Sequence, residues 1–358
     1  MTPDHPHVLI YGAGAVGLLI GGLLDAAGLP VALLARPSTA DAVNSRGLRI
    51  ERANGEVLVR PPAITSIAMS ADPPALVVLT TKAYDIEPAM SDIARLASDG
   101  ATVVSLQNGI GTEERLIQNA AIDRLIAGSL TLSVARLGPD HVRIQPGKGG
   151  VPPPAPPGRG GVTLAPVSTG VDVAPVEALL GRAGIRVART ADYRRMKWSK
   201  LLLNMLANAT AAILAVSPAT VVSDPRLFRI ERAAFLEALR VMRAVRIRPL
   251  ALPGFNTPLL ARAMRLPAPL AQRLVAPSIA GGRGTKPPSL RLDLEHGRQA
   301  TEVDWLNGAV VRYGARYGTA TPVNATLVKA FQAAAADPGR QPLPIDQFTR
   351  MMMPEPVT

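Results

Sequence analysis

A chain of 358 residues with 47% hydrophobic content is long enough for two domains, each with a sizeable core. It holds no cysteine, which excludes disulfides, thiol nucleophiles and cysteine metal sites, and its four histidines (His5, His7, His141, His296) are too scattered for a zinc motif, so no metal is expected. The formal charge of +12 is spread over isolated basic residues and only 3% of the chain is aromatic, which argues against nucleic acid and for an anionic small molecule.

No apolar run reaches the roughly 18 residues of a membrane span, and MTPDHPHVLIYGAGAVG lacks a basic start before its apolar run, so a soluble cytoplasmic protein is expected. The stretch HVLIYGAGAVGLLIGGLLDAAGLPVALLAR reads as strand, tight turn, helix, strand. An apolar strand covers 7–11, a helix covers 18–27 and stops near Gly28, and a second buried strand covers 31–35. Gly12, Gly14 and Gly17 form G-x-G-x-x-G between the first strand and the helix, the frame in which a dinucleotide pyrophosphate rests on a helix N-terminus. Gly12 permits the turn, Gly14 lets backbone approach the phosphates, Gly17 allows close packing, and Ala13, Ala15 and Val16 complete the binding loop. The second strand ends in Arg36, where an NAD-binding unit places an acid. An arginine suits the 2′-phosphate of NADP(H), with Ser38 and Thr39 as further hydrogen-bonding groups.

Two more apolar strands follow, ALVVLT at 75–80 and TVVSL at 102–106. TTKAYD places Lys82 and LQNGIG places Asn108 and Gly109 just beyond them, where open α/β sheets bind ligands. PGKGGVPPPAPPGRGG, residues 146–161, reads as a surface loop inside the first domain. From about 191 helical patterns take over, at 193–214, 226–245, 258–275 and 303–318. The expected organisation is a Rossmann-like dinucleotide domain over 1–190, a mostly α-helical domain over 191–345 and a C-terminal tail over 346–358.

Within the helical half, KWSKLLLNMLANAT sets Lys200, Asn204 and Asn208 four residues apart on one stripe of an otherwise apolar helix. Such a stripe serves either as a lysine snorkelling to the surface with asparagines on nearby backbone, or as the polar wall of a ligand pocket with a proton-donating lysine. Further on, Ser289 and Asp293 fall at i, i+4 on a helix starting near Pro288, and Glu302 stands as a cap or first-turn acid of the next helix.

GAGAVG, LLAR, TKAYD, LQNGIG, KWSKLLLNMLANAT, KPPSLRLDLEHGRQATEVDWLNGAVV and GTATPVN, in this order, resemble the ketopantoate reductase (2-dehydropantoate 2-reductase) family over nearly the whole chain. The resemblance implies an α/β fold with an N-terminal Rossmann-like domain and a mostly α-helical C-terminal domain. It also implies NADPH-dependent reduction of 2-dehydropantoate to pantoate, a step of pantothenate and coenzyme A biosynthesis. On this basis Lys200 is the expected proton donor, with Asn204, Asn208 and Ser289 as substrate contacts and Asp293 as a supporting acid. Lys82 and Asn108 match residues that contact the cofactor and shape the active site, with Asn108 also expected to touch substrate, and Glu302 matches a catalytic glutamate linking substrate and cofactor sites. DLEHGRQATE is one residue longer than the family's D-x-x-x-G-R-x-T-E spacing, which bears on the reach of Glu302. The expected partner is a small-molecule 2-oxoacid, with no nucleic acid or membrane partner, for a monomer or homodimer. Reduction of another 2-oxoacid or secondary alcohol, and a non-catalytic NADP-binding sensor, are the alternatives.

Overall fold

A computed structural model describes residues 7–53, 55–70, 73–145, 160–282, 288–295, 297, 300–337, 339 and 341–353. They fall into two units, the first drawn from Met1–Gln107, Gly111–Met196 and Leu252–Phe255, the second from Asn108–Ile110, Lys197–Ala251 and Asn256–Thr358. Most of the loop expected over 146–161 lies outside the described residues, from 146 to 159. Among the described residues no helix is long and apolar enough to cross a membrane.

The strands of the first unit are β1 (Val8–Tyr11), β2 (Val31–Leu34), β3 (Leu48–Arg52), β4 (Gly55–Val59), β5 (Ala63–Ile64), β6 (Leu76–Leu79), β7 (Thr102–Ser105), β8 (Leu125–Leu130), β9 (Val134–Gly138), β10 (His141–Ile144), β11 (Val162–Pro166) and β12 (Val187–Arg189). Eight of them form one sheet in the order β12-β11-β8-β7-β6-β1-β2-β5. Neighbours from β5 to β8 are all parallel, and β11 closes against β8 in the antiparallel sense. The sequences VLIY, VALL and LVVL are apolar on both faces because a parallel sheet is covered on both. The covering helices are α1 (Ala15–Ala26), α2 (Pro37–Arg46), α3 (Ile86–Ser98), α4 (Thr112–Ala120) and α5 (Ala174–Arg182). With β2 on one side of β1 and β6 on the other, strand order reverses at β1, the place where such sheets take ligands. A second sheet, β4-β3-β10-β9, has no counterpart in the sequence reading, because its short half-exposed strands carry little apolar signal.

The second unit contains the body of α6 (Tyr193–Met205), then α7 (Ala209–Ile213), α8 (Pro218–Ser223), α9 (Pro225–Ala244), α10 (Thr257–Ala263), α11 (Ala268–Gly282), α12 (Ser289–Glu295), α13 (Asn307–Arg316), α14 (Pro322–Ala336) and α15 (Ile345–Met352). Helix α9 shows why the core forms here. Asp224 caps it by accepting from the Arg226 and Leu227 amides, Pro225 starts it, and Leu227, Ile230, Ala234, Ala238 and Val241 bury one stripe.

Three expectations need correction. The helix expected over 193–214 is broken at 206–208, where Ala207 adopts φ 50° and gives its N–H to Glu231 Oε2 at 2.6 Å. A buried carboxylate from another helix thus takes the donor that a continuous helix would have used. The pattern over 258–275 divides into α10 and α11 because Pro267 lies between them. Residues 345–352, mostly expected as tail, form α15 with Phe348 and Met352 buried in the helical core.

Candidate active site

In the first unit the candidate binding surface is made of backbone. Gly12 has φ +109°, and a Cβ on Gly17 would lie 2.0 Å from the Gly12 carbonyl oxygen, so both positions require glycine. Gly14 differs: a Cβ there would meet nothing within 4 Å, which leaves room above the loop. Gly14 is the N-cap of α1 and supplies no side-chain cap, so the first-turn amides at Ala15, Val16 and Gly17 suit a phosphate group. Beside them, burial and the hydrogen bond from the Tyr11 hydroxyl to Asp92 Oδ2 at 2.8 Å push the Tyr11 pKa upward.

Arg36 is exposed at the N-cap of α2, directly after β2, with Ser38 exposed beside it and Thr39 buried. Lys82 is half-buried after β6, and its carbonyl accepts from Gln107 Nε2 at 3.1 Å. Gln107 also donates to Thr81 Oγ1 at 2.9 Å, fixing the loop that carries Lys82. It was missed in the sequence although it stands in LQNGIG beside Asn108.

The second unit brings six of the expected residues into one hydrogen-bonded chain. Leu290 N–H donates to Asn208 Oδ1 at 3.3 Å, and Asn208 Nδ2 donates to Ser289 Oγ at 3.3 Å and to the Asn204 carbonyl at 3.0 Å. Asn204 Nδ2 donates to Asn108 Oδ1 at 3.1 Å, and Asn108 Nδ2 to Glu302 Oε1 at 3.4 Å. The Glu302 amide then reaches Asp293 Oδ2 at 3.4 Å. Asn208, Asp293 and Glu302 are buried, whereas Asn108, Asn204, Ser289 and Lys200 keep partial exposure. Half-buried Lys200 stands one helical turn before Asn204 on α6, and buried Lys197 one turn earlier. The result is an amide-rich network that includes two buried carboxyl residues, with Lys200 on the helix that supplies Asn204.

Two backbone features hold this chain together. Gly109 has φ +90° and a Cβ there would lie 2.6 Å from Trp305 Cβ, while the Ile110 amide donates to the Trp305 carbonyl at 3.0 Å. Asn108 is thereby clamped to the short 3-10 turn Glu302–Trp305, so the extra residue between Asp293 and Glu302 leaves Glu302 within the cluster. The other feature is the break after α6. It sets Asn208 at the start of α7 instead of on a continuous stripe, with Glu231 also accepting from Thr210 Oγ1 at 2.5 Å.

One further cluster joins residues that looked scattered: β10 beside β3 gathers Glu51, Glu56 and His141. Arg143 pairs with Glu51, and Arg49 Nε lies 3.1 Å from Glu56 Oε1, so both carboxylates already have guanidinium partners.

The family model described as ketopantoate reductase PanE/ApbA matches residues 8–151, and its C-terminal companion matches 192–335. The chain belongs to the ketopantoate reductase family. It is 32% identical over 322 residues to the 2-dehydropantoate 2-reductase of Archaeoglobus fulgidus, covering 90% of this chain and 95% of that protein. Against the Halobacterium salinarum 2-dehydropantoate 2-reductase it is 30% identical over 336 residues, 92% of this chain and 99% of the other. A PanE/ApbA family ketopantoate reductase from Ralstonia eutropha JMP134 superimposes with TM-score 0.73 at 28% identity, over 93% of this chain and all of that one. The D-mandelate dehydrogenase fold is also shared, with TM-score 0.77 at 23% identity over 93% of this chain and 100% of that chain. As a family member the chain is an oxidoreductase acting on CH–OH groups, with a Rossmann-type fold.

Proposed function

We propose that the chain reduces 2-dehydropantoate to pantoate with NADPH, using Lys200 as proton donor. The observation that carries this reading is the chain Ser289, Asn208, Asn204, Asn108, Glu302 and Asp293, with Lys200 one turn from Asn204. Gly12, Ala13, Gly14, Ala15, Val16 and Gly17 would hold the pyrophosphate, Arg36 the adenosine 2′-phosphate, and Lys82, Asn108 and Glu302 would add cofactor contacts. When bound, NADPH supplies the hydride that reaches the C2 carbonyl carbon.

The residues of the second unit do the rest. As the carbonyl carbon gains the hydride, its oxygen gains negative charge, and the Lys200 ammonium both stabilises that charge and gives it a proton. A second proton from solvent restores the lysine, so the reaction consumes one NADPH and one proton per pantoate. Asn108, Asn204, Asn208 and Ser289 donate or accept hydrogen bonds without bringing an opposing charge, which suits a carboxylate and a hydroxyl on the substrate. Asp293 and Glu302 orient this surface from behind.

The test is loss of NADPH absorbance with purified protein and 2-dehydropantoate, run beside other 2-oxoacids and beside NADH. Fast oxidation confined to NADPH and 2-dehydropantoate is expected. Turnover confined to another 2-oxoacid would overturn the substrate assignment, and tight cofactor binding without turnover on any oxoacid would overturn catalysis.

A further inference from the structure

The sheet β4-β3-β10-β9 carries a residue that neither the strand-end pattern nor the glycine motif points to. Arg136, in the middle of β9, donates from Nη2 to Thr39 Oγ1 at 2.7 Å. Thr39 lies in the first turn of α2, and its own amide donates to the Arg36 carbonyl at 2.9 Å. Two guanidinium-bearing residues far apart in sequence therefore meet around one threonine, just beyond the end of β2.

Among the described residues no acid matches their charges. Arg136 directs its remaining hydrogen bonds to the carbonyls of Gly138 and Pro139, at 3.0 and 3.4 Å. Among the described residues neither Arg36 nor Arg136 pairs with a carboxylate, whereas nearby Arg46 has Asp140 at 2.9 Å. Partial burial of the guanidinium and the neighbouring charge of Arg36 both push the Arg136 pKa below the usual arginine value. Arg136 nonetheless keeps an exposed side-chain surface, as does Arg36, so both remain reachable from solvent. Two reachable cations that repel each other are relieved by a doubly charged anion, and planar guanidinium forks suit phosphate oxygens.

We propose that Arg136, together with Arg36, binds the adenosine 2′-phosphate and selects NADPH over NADH. This rests on the NADPH reading above and adds to it a specificity residue from a separate sheet. Thr39 then positions the Arg136 fork through its hydroxyl.

The test is binding of NADPH, NADH and adenosine 2′-monophosphate to wild type, Arg136→Met and Arg136→Lys, by calorimetry or nicotinamide fluorescence, with thermal melting as the fold check. Arg136→Met keeps an unbranched apolar stem and removes the fork; NADPH affinity should fall about 10- to 100-fold. NADH affinity should change less than about threefold, since the lost contact is to the phosphate alone. Adenosine 2′-monophosphate should weaken in parallel with NADPH, and Arg136→Lys should lie between wild type and Arg136→Met, retaining charge without the fork. Unchanged NADPH affinity in Arg136→Met, or equal losses for both dinucleotides, would overturn the role of Arg136. If wild type itself binds NADH as tightly as NADPH, the cofactor reading fails first, an outcome separate from failure of Arg136 alone.

Discussion

Between β1 and α1 the first unit offers backbone: Gly12, Gly14 and Gly17 within six residues, uncapped amides, and open space above Gly14. The second unit offers side chains from separate stretches of the sequence: Asn108, then Asn204 and Asn208, then Ser289 and Asp293, then Glu302. A backbone site is fixed by a short local sequence, because only conformation and the absence of Cβ atoms matter. A side-chain site needs its supports in place as well. Here those supports are buried carboxylates that hold helix ends: Glu231 takes the Ala207 amide at the break after α6, and Glu237 takes the Val323 and Asn324 amides at the start of α14.

The largest expected effect belongs to Lys200. Lys200→Ala should lower kcat by about 10²–10⁴, the usual range for a general acid, while NADPH affinity measured by fluorescence changes little. Undiminished turnover would remove Lys200 from the chemistry. Next comes Glu231→Ala, which strands the Ala207 amide and the Thr210 hydroxyl without a buried acceptor; a loss of about 2–4 kcal/mol in denaturant unfolding is expected. Glu231→Gln, which keeps one acceptor oxygen, should lose less, and equal losses in both variants would show that the hydrogen bonds at the break carry little.

Smaller effects separate the two kinds of surface more sharply. Asn204→Ala removes the amide linking Asn108 to α6, and KM for the oxoacid should rise about tenfold, with NADPH affinity nearly unchanged in a binding titration. An equal loss for both ligands would mean that Asn204 serves the whole fold. Gly14→Ala should leave the unfolding free energy in denaturant within about 0.5 kcal/mol of wild type, since its Cβ meets no protein atom. Cofactor affinity should still drop several-fold, because the methyl group occupies the space above the α1 amides. A variant that binds as well as wild type would move the pyrophosphate away from Gly14.

Much of this was legible in the primary structure because it is local. The glycine spacing, the apolar strands and the arginine after β2 are each contained in a few residues. Periodicity fared less well where long-range partners intervene. A 3.6-residue pattern runs straight through 193–214, and nothing near Ala207 announces that Glu231 will take its amide. Likewise Arg136 is one more basic residue of a basic chain until the pairing of β10 with β3 and β9 brings it to Thr39.

The sequence by itself determined the glycine turn, the identity of the residues that line the polar chain, and the family to which the chain belongs. Only the tertiary structure decided that Asn108 joins the helical unit, that Glu302 stays within the cluster despite one extra residue, and that two arginines meet at the end of β2. The physical reason is the range of the forces involved. Backbone conformation and periodic burial act over a few residues, whereas hydrogen bonds and charge pairs join groups brought together only after the chain has packed.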